Sequence, residues 1–232
     1  MANLCTTVVS INATSDEDRE GIKKLTELAE AFIEGNKQRW LGDFAAICGV
    51  ATIKHTPNIE LINKKAEDDR FKELFTTRGC FQLNGEPLSC RSDIDKFDTA
   101  DDEQITFYVS DAWCPHLKAF KLIAEKFAPT AELIFSAEEP GCLLFVSNDP
   151  SYNDRYYFDN WNECEFDYES NFDMSEDELL NSLIPAVNRK FEKEFGGQKI
   201  KTYEDLVKFI EQTDQEFSIH KWEESSVENF CD

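Results

Sequence analysis

The chain has few of the residues from which metal centres and nucleophilic sites are commonly built. Among 232 residues it holds three histidines, and its eight cysteines form no C-x-x-C pair. A histidine-based metal site and a paired zinc knuckle are therefore disfavoured. The G-x-G-x-x-G, Walker, G-x-S-x-G and H-E-x-x-H motifs are absent as well. We therefore predict no cofactor, no metal and no enzyme activity.

Long apolar runs are also missing. The longest, Ala45 to Ile53, is interrupted by Gly49 and Thr52, whereas a bilayer-spanning helix needs about 20 apolar residues. The first residues carry neither the basic head nor the apolar segment of a secretory signal. Cysteines in a chain without such a signal are typical of reduced thiols in the cytosol. We therefore expect a cytoplasmic protein without a membrane-spanning segment.

Basic residues are scarce relative to acidic ones. The chain has 24 Lys+Arg against 47 Asp+Glu, which gives a net charge of −23. Such a field repels nucleic-acid phosphates and anionic lipids at long range, and it attracts basic proteins. The acidic residues concentrate at 93–111, 149–178 and 211–232. Direct binding of nucleic acid or of a membrane is therefore disfavoured, and a basic protein partner is favoured.

What the chain does have is a hydrophobic fraction of 41%, with 19 Phe, which is ample for a packed core. Residues 4–11 are typical of a strand, and Ser15 caps a predicted helix over 16–34. Residues 36–78 are less regular, and we interpret them as an insertion over one sheet edge. The acidic stretch 93–103 is predicted to be a loop or a strand end.

The middle of the chain alternates between strands and a helix. Residues 105–110 predict a half-buried strand, and Cys114-Pro115 is expected to open a helix over 115–128. Two hairpin strands follow, at 131–137 and 142–147. In an earlier hairpin, pairing outward from its turn puts Cys80 opposite Ser89, so no disulfide between Cys80 and Cys90 is expected.

The last third is predicted to be mostly helical. Ser175 and Glu178 form a capping box at the start of a helix that Pro185 should kink. Thr202 caps a final helix, and residues 217–222 are typical of a closing strand.

Cys114 and His116 are the sharpest candidates for chemistry. A thiol at a helix N-terminus has a lowered pKa, and His116 or Glu139 could assist it as a base. The same cysteine stands where a helix needs a cap, and we favour that structural role. A cysteine-dependent enzyme using Cys114 is the alternative.

A second candidate is a strand with one apolar and one acidic face, here called the acidic strand. Its acidic residues are Glu163, Glu165, Asp167 and Glu169. Carboxylates two apart lie on one side of a strand, where like charges repel unless a cation approaches. With nearby carboxylates they form the predicted surface for a basic partner: Glu163, Glu165, Asp167, Glu169, Asp173, Glu176 and Asp177. Calcium bound by the acidic strand is a further alternative, although EF-hand spacing is absent.

Four segments together resemble the YubB ferredoxin-like family of phages, plasmids and related mobile elements. They are Met1-Ala2-Asn3-Leu4-Cys5, Arg78-Gly79, Ser110-Asp111-Ala112-Trp113-Cys114-Pro115, and Glu138-Glu139-Pro140-Gly141 followed by Cys142-Leu143-Leu144-Phe145. The resemblance covers roughly residues 1–160. The chain departs from the family pattern at Cys114, commonly Ser, at His116, commonly Pro, and at Val146-Ser147, where Gly is usual. The resemblance implies a decorated βαββαβ core and a mobile-element origin, and it brings no activity with it.

These features predict an α+β protein. Residues 1–160 are expected to form a ferredoxin-like antiparallel sheet with helices on one face. Residues 161–232 are expected to form an acidic, mostly helical extension packed on it. The predicted function is a non-catalytic interaction protein that presents negative surface to a basic partner. In a bolder form, it inhibits a nucleic-acid-binding host protein by mimicry.

Overall fold

The structure, a computed structural model, divides the chain into two units. The first comprises Met1–Leu144 and Ser225–Asp232, and the second comprises Phe145–Glu224. The described residues are 4–35, 39–52, 80–83, 86–89, 91–160, 172–191, 199–213 and 217–231. The predicted boundary at residue 160 differs from this division, because residues 145–160 belong to the second unit.

The first unit is mixed α and β. Its helices in the described part are α1 (Asp16–Gly35), α2 (Leu41–Ile47) and α3 (Leu117–Phe127). Its strands there are β1 (Leu4–Asn12), β2 (Ala51–Thr52), β3 (Cys80–Leu83), β4 (Glu86–Ser89), β5 (Asp93–Ala100), β6 (Gln104–Ala112) and β7 (Glu132–Glu139).

Four long strands of this unit lie side by side in the order β7-β1-β6-β5. All three pairings are antiparallel, and β1 is bonded on both sides along most of its length. Alternate residues of β1 and β6 are buried, as their apolar spacing predicts. A smaller antiparallel sheet contains β2, β3 and β4. In it Cys80 pairs with Ser89, so the predicted hairpin register is confirmed.

A chain of phenylalanine rings links the helices to the sheet. Phe107 of β6 lies 5.5 Å from Phe44 of α2 and 5.3 Å from Phe120 of α3, measured between ring centroids. Phe44 in turn lies 5.2 Å from Phe32 of α1. These side chains are at most 2% exposed. The core of the first unit is therefore organised around aromatic pairs, which stabilise beyond their buried area.

Asp18 ties the start of α1 to the loop before β7. Ser15 Oγ accepts the Asp18 N–H at 3.1 Å, so the predicted cap is confirmed. The fully buried Asp18 carboxylate accepts from Thr130 N–H at 3.1 Å and Thr130 Oγ1 at 2.6 Å. It also accepts from Thr14 N–H at 3.0 Å and Thr14 Oγ1 at 3.2 Å. One carboxylate thus joins three segments of the chain.

Helices α1 and α3 approach each other closely at Gly21. A Cβ atom added there would collide with the backbone carbonyl of Phe127, at the end of α3. At Gly35, by contrast, none of the residues that the structure describes lies within 4 Å of an added Cβ. Gly21 is required by the close approach of the helices, and Gly35 is not.

Two sequence predictions for this unit were wrong. Asp93–Ala100 is a strand and not a loop, because Ile94 is buried opposite Val109 while Asp95 and Asp98, on the last strand in the order, are exposed. The helix predicted from Pro115 begins at Leu117, and the side chain of its N-cap residue, His116, makes no capping hydrogen bond. Trp113 before it has a left-handed backbone with φ 77°. Cys114 is therefore not the helix cap. Of the predicted insertion, α2 and β2 are seen, and residues 53–79 lie outside the described residues.

The second unit also mixes helices and strands. Its described strands are β8 (Leu144–Ser147), β9 (Arg155–Asn160), β10 (Phe172–Ser175), β11 (Phe217–Lys221) and β12 (Glu223–Glu224). Its described helices are α4 (Glu176–Glu178), a π-helical turn (Leu179–Leu183), α5 (Ile184–Lys190) and α6 (Tyr203–Thr213). The order β10-β9-β11 forms an antiparallel sheet, and β12 pairs in parallel with β8.

The capping residues predicted for two helices of the second unit are confirmed. Ser175 and Glu178 form the predicted capping box, and Thr202 Oγ1 accepts the Asp205 N–H at 3.2 Å. A π-helical turn ends just before Ile184-Pro185, at the place where a kink is predicted. Proline removes one backbone donor, and a widened turn is one way in which a helix accommodates this loss.

The last residues of the chain belong to the first unit. Phe230, in a short 3₁₀ turn (Val227–Phe230), packs edge-on against Phe135 of β7 at 5.7 Å between centroids. Glu228 of the same turn pairs with Lys121 of α3 at 2.6 Å. The first unit is thus built from both ends of the chain.

Candidate functional site

Buried polar side chains gather in the first unit at one end of the sheet. The register places Cys5 opposite Asp111, and both residues face the core. Thr7 Oγ1 donates to Asp111 Oδ2 at 2.6 Å and lies 3.6 Å from Cys5 Sγ. Cys5, Thr7 and Asp111 are at most 1% exposed. We call the group of Cys5, Thr7, Ser92, Asp111 and His116 the polar cluster.

His116 joins this cluster from the residue before α3. Its Nδ1 lies 3.4 Å from Asp111 Oδ1 and 3.2 Å from Ser92 Oγ. Asp111 Oδ1 is buried and has no hydrogen bond within the described part of the chain. The structure therefore brings a predicted residue, His116, against a carboxylate that sequence reasoning had not selected.

The thiols near the cluster are held in their neutral form. Burial raises the pKa of Cys5 to about 12 against the hydrogen bond with Thr7, and Asp111, Cys114 and Glu139 raise it further. Cys114 is exposed, yet partial burial of its thiol raises its pKa as well, helped by Asp111 and Cys142. A nucleophilic cysteine needs the opposite shift, toward the thiolate. The surroundings of Cys114 therefore offer little support for a cysteine-dependent enzyme.

Glu139 has a structural partner. Its carboxylate accepts a hydrogen bond from the Cys142 backbone N–H and so caps the short turn after β7. The residue is 2% exposed. This position brings Glu139 near Cys5 but gives it a capping role, not a free carboxylate.

Two large apolar side chains flank this end of the first unit in strained conformations. Trp113 is 53% exposed with φ 77°, and Leu143 is 65% exposed with φ 57°. Positive φ values are costly for residues other than glycine and are enriched at functional sites. Leu4, paired with Ala112 beside Trp113, is 66% exposed. Leu4, Trp113 and Leu143 are thus three of the large apolar side chains that the described part of the first unit exposes.

Acidic residues line an open groove elsewhere in the first unit, between α1 and the β5–β6 turn. The groove has a volume of about 470 Å³. Four of its six lining residues are carboxylates, and the full set is Lys23, Thr26, Glu27, Glu30, Asp101 and Asp102. The four carboxylates are exposed. We call this feature the acidic groove.

The predicted partner surface is seen only in part. Glu176 and Asp177 are exposed in the first turn of α4, where negative charge suits the helix dipole. Asp173 accepts a hydrogen bond from Trp222 Nε1 at 2.9 Å and is half-buried, so it is engaged within the second unit. The acidic strand, Glu163, Glu165, Asp167 and Glu169, lies outside the described residues.

Two other features, a metal-binding group of side chains and a membrane-spanning helix, are absent from the described residues. In the described part of the chain, no three His, Cys, Asp or Glu side chains are grouped closely enough to hold a metal ion. Among the same residues, no helix is both long enough and apolar enough to cross a membrane.

Sequence reasoning missed Asp111, Thr7, Ser92 and the acidic groove for different reasons. Asp111 belongs to the motif of residues 110–115 and occupies an inward position of β6. A carboxylate at an inward position could have indicated a buried polar site. Ser92 gave no signal. The groove joins α1 to a turn about 70 residues later, and no local pattern predicts that proximity.

Comparison of the chain with protein-family models, with curated proteins and with solved structures finds no match.

Proposed function

We propose that the protein is a non-catalytic, acidic interaction protein that binds a basic protein partner through the acidic groove. The observation that carries this proposal is the presence of four exposed carboxylates and one lysine along a single open groove. Lysine and arginine side chains of a partner would supply the positive charge that balances these carboxylates.

The charge of the whole chain supports the same function. A net charge of −23 attracts a basic partner at long range and accelerates its encounter. Exposed carboxylates keep their hydration until a partner arrives, so the groove holds its charge at little cost. Glu176 and Asp177, together with the acidic strand, remain proposed as a further acidic surface.

A ferredoxin-like fold of the first unit is part of the proposal. The succession β1, α1, β5, β6, α3, β7 follows the βαββαβ pattern, and the order β7-β1-β6-β5 is the one expected for it. The ring contacts of Phe107 with α2 and α3, and of Phe44 with α1, support helices on one face. A YubB-like family, a mobile-element origin and a cytoplasmic location are proposed with it. So is inhibition of a nucleic-acid-binding host protein, because exposed carboxylates can stand in for phosphates.

The test compares two variants of equal charge. The groove variant carries Glu27→Gln, Glu30→Gln, Asp101→Asn and Asp102→Asn. The control neutralises four exposed carboxylates of the same unit outside the groove, namely Glu20, Glu34, Glu125 and Glu132. Each exposed ion pair contributes about 0.5 kcal/mol. Four pairs amount to about 2 kcal/mol, which corresponds to roughly 30-fold in Kd.

The measurement is calorimetric titration with poly-lysine at low and high salt, followed by capture of partners from lysate at both salt concentrations. We expect salt-sensitive binding by the parent chain and by the control variant, and weak binding by the groove variant. Equal loss in both variants would mean that net charge alone attracts poly-lysine. If the groove variant captured basic proteins as well as the parent chain does, the proposal would be contradicted.

The alternatives have less support. For the cysteine enzyme, the raised pKa of Cys114 opposes formation of a thiolate. Calcium binding by the acidic strand stays a prediction, because its carboxylates lie outside the described residues.

A further inference from the structure

The two oxygens of the Asp111 carboxylate are in different situations. Oδ2 accepts from Thr7 Oγ1 at 2.6 Å, whereas Oδ1 is buried and lacks a hydrogen bond among the described residues. A buried carboxylate oxygen normally has a donor. The nitrogen that lies beside it is His116 Nδ1, at 3.4 Å, in an ion-pair contact outside hydrogen-bond geometry. The position of the imidazole proton therefore decides whether this negative oxygen meets a polar N–H group or a lone pair.

The two neutral tautomers of His116 differ sharply at this point. With the proton on Nδ1, an N–H group faces the carboxylate. With the proton on Nε2, the Nδ1 lone pair faces a negative oxygen, and both groups are acceptors. Ser92 Oγ lies 3.2 Å from the same nitrogen, and a hydroxyl group has both a proton and lone pairs, so this contact alone does not identify the tautomer. Asp111, and not Ser92, distinguishes the two.

We propose that Asp111 fixes His116 as the Nδ1–H tautomer, so that Nε2 offers its lone pair to a hydrogen-bond donor on a ligand. The Nδ1 edge faces two buried residues, Asp111 and Ser92, while the His116 side chain as a whole keeps 15% exposure. Because the Nδ1 edge is enclosed, we assign the exposed part of the side chain to the opposite edge, which carries Nε2. The ligand class is one with a hydroxyl, thiol, amide or ammonium donor.

This site is separate from the acidic groove, and either can exist without the other. Trp113 is three residues from His116 in sequence and is 53% exposed, so it offers a ligand an aromatic contact. An imidazole held by a carboxylate at one nitrogen and accepting at the other is the arrangement found in general bases and in metal-ligand histidines. The structure here assigns only the accepting nitrogen.

The tautomer can be read directly by long-range ¹H–¹⁵N correlation spectra of the full chain labelled with ¹⁵N-histidine. The spectra themselves identify a neutral ring, because one of its nitrogens is then pyrrole-type and the other pyridine-type, and they are recorded at alkaline pH to favour that form. The His116→Gln variant identifies which of the three histidines is His116. We expect a pyrrole-type Nδ1 and a pyridine-type Nε2. The reverse pattern in the parent chain would overturn the proposal without any variant having to fold.

Two variants separate the roles of the neighbours. Asp111→Asn can turn an amide N–H toward Nδ1, so we expect the tautomer to reverse. Ser92→Ala is expected to leave the Nδ1–H form in place. Reversal in Ser92→Ala with no change in Asp111→Asn would refute the assignment to Asp111.

Whether Nε2 faces outward is tested with diethyl pyrocarbonate. An unprotonated ring nitrogen attacks a carbonyl carbon of this reagent, and the ethoxycarbonylated ring is formed with release of ethanol and carbon dioxide. We expect modification of His116 at Nε2, several-fold faster than at His220, whose Nε2 lies 3.1 Å from Ser218 Oγ. A His116 that is unreactive in the native chain would show that its lone pair is not presented to ligands.

Discussion

Removal of the Asp18 carboxylate should destabilise the first unit more than any other single charge change at the start of α1. Four donors converge on this carboxylate, two of them backbone N–H groups. A hydrogen bond to a charged group contributes about 1.5–3 kcal/mol. Thr14 and Thr130 are exposed, so water compensates in part. We expect Asp18→Ala to lower the free energy of unfolding by about 3 kcal/mol and Asp18→Asn by about half as much.

The pH dependence gives an independent check. Burial by itself raises the pKa of Asp18, but hydrogen bonds from Thr130, Thr14 and Ser15 outweigh it and hold the pKa well below its usual range. A carboxylate with a lowered folded pKa stabilises fully above its unfolded pKa, about 3.9 for Asp, and loses that contribution as the pH falls. The difference between the parent chain and Asp18→Asn should therefore shrink between about pH 4 and pH 2.

The assay is urea unfolding followed by circular dichroism at pH 7 and at several lower pH values. The matched control is Asp16→Asn, because Asp16 is 99% exposed and pairs with Arg19 at 2.6 Å on the helix surface. An exposed pair of this kind contributes about 0.5 kcal/mol or less. Equal costs for Asp16→Asn and Asp18→Asn, or a difference that does not change with pH, would refute this account of Asp18.

Two further substitutions test local features of each unit. Gly21→Ala forces a Cβ against the Phe127 carbonyl, and we expect a loss of about 2–3 kcal/mol in thermal or urea unfolding. Gly35→Ala in the same helix meets none of the described residues within 4 Å and should be neutral within about 0.5 kcal/mol; similar effects at both glycines would contradict the close helix contact. Ser175→Ala removes one half of the capping box with Glu178. We expect it to lower the free energy of unfolding by about 1 kcal/mol. Unchanged stability and unchanged amide protection in α4 would contradict that role.

Much of the local structure could be predicted from the sequence because it is encoded by neighbouring residues. The Ser15 and Ser175 caps depend on side chains that reach a backbone group three residues away. The register of Cys80 with Ser89 follows from counting outward from a turn. Periodic burial in β1 and β6 follows in the same way from alternation.

The remaining features depend on contacts between distant segments. The carboxylates of β5 suggested a loop, but an edge strand tolerates charge on its exposed positions, and Ile94 opposite Val109 anchors it. The start of α3 was misplaced because Trp113 adopts a left-handed conformation that no local propensity favours. The Asp111–His116 contact and the acidic groove both depend on the tertiary fold. Composition predicted that the protein is acidic, but it could not predict where on the fold the carboxylates gather.

The return of the chain to the first unit at Ser225 has a consequence for synthesis. Residues 225–231 are made after the whole of the second unit, yet Phe230 completes the packing around Phe135 and Glu228 pairs with α3. The second unit, whose ends meet where Glu223 pairs with Val146, can close on itself earlier. Translation therefore delivers the intervening unit before the flanking one is whole, and a prematurely terminated chain would leave β7 with an uncovered aromatic ring.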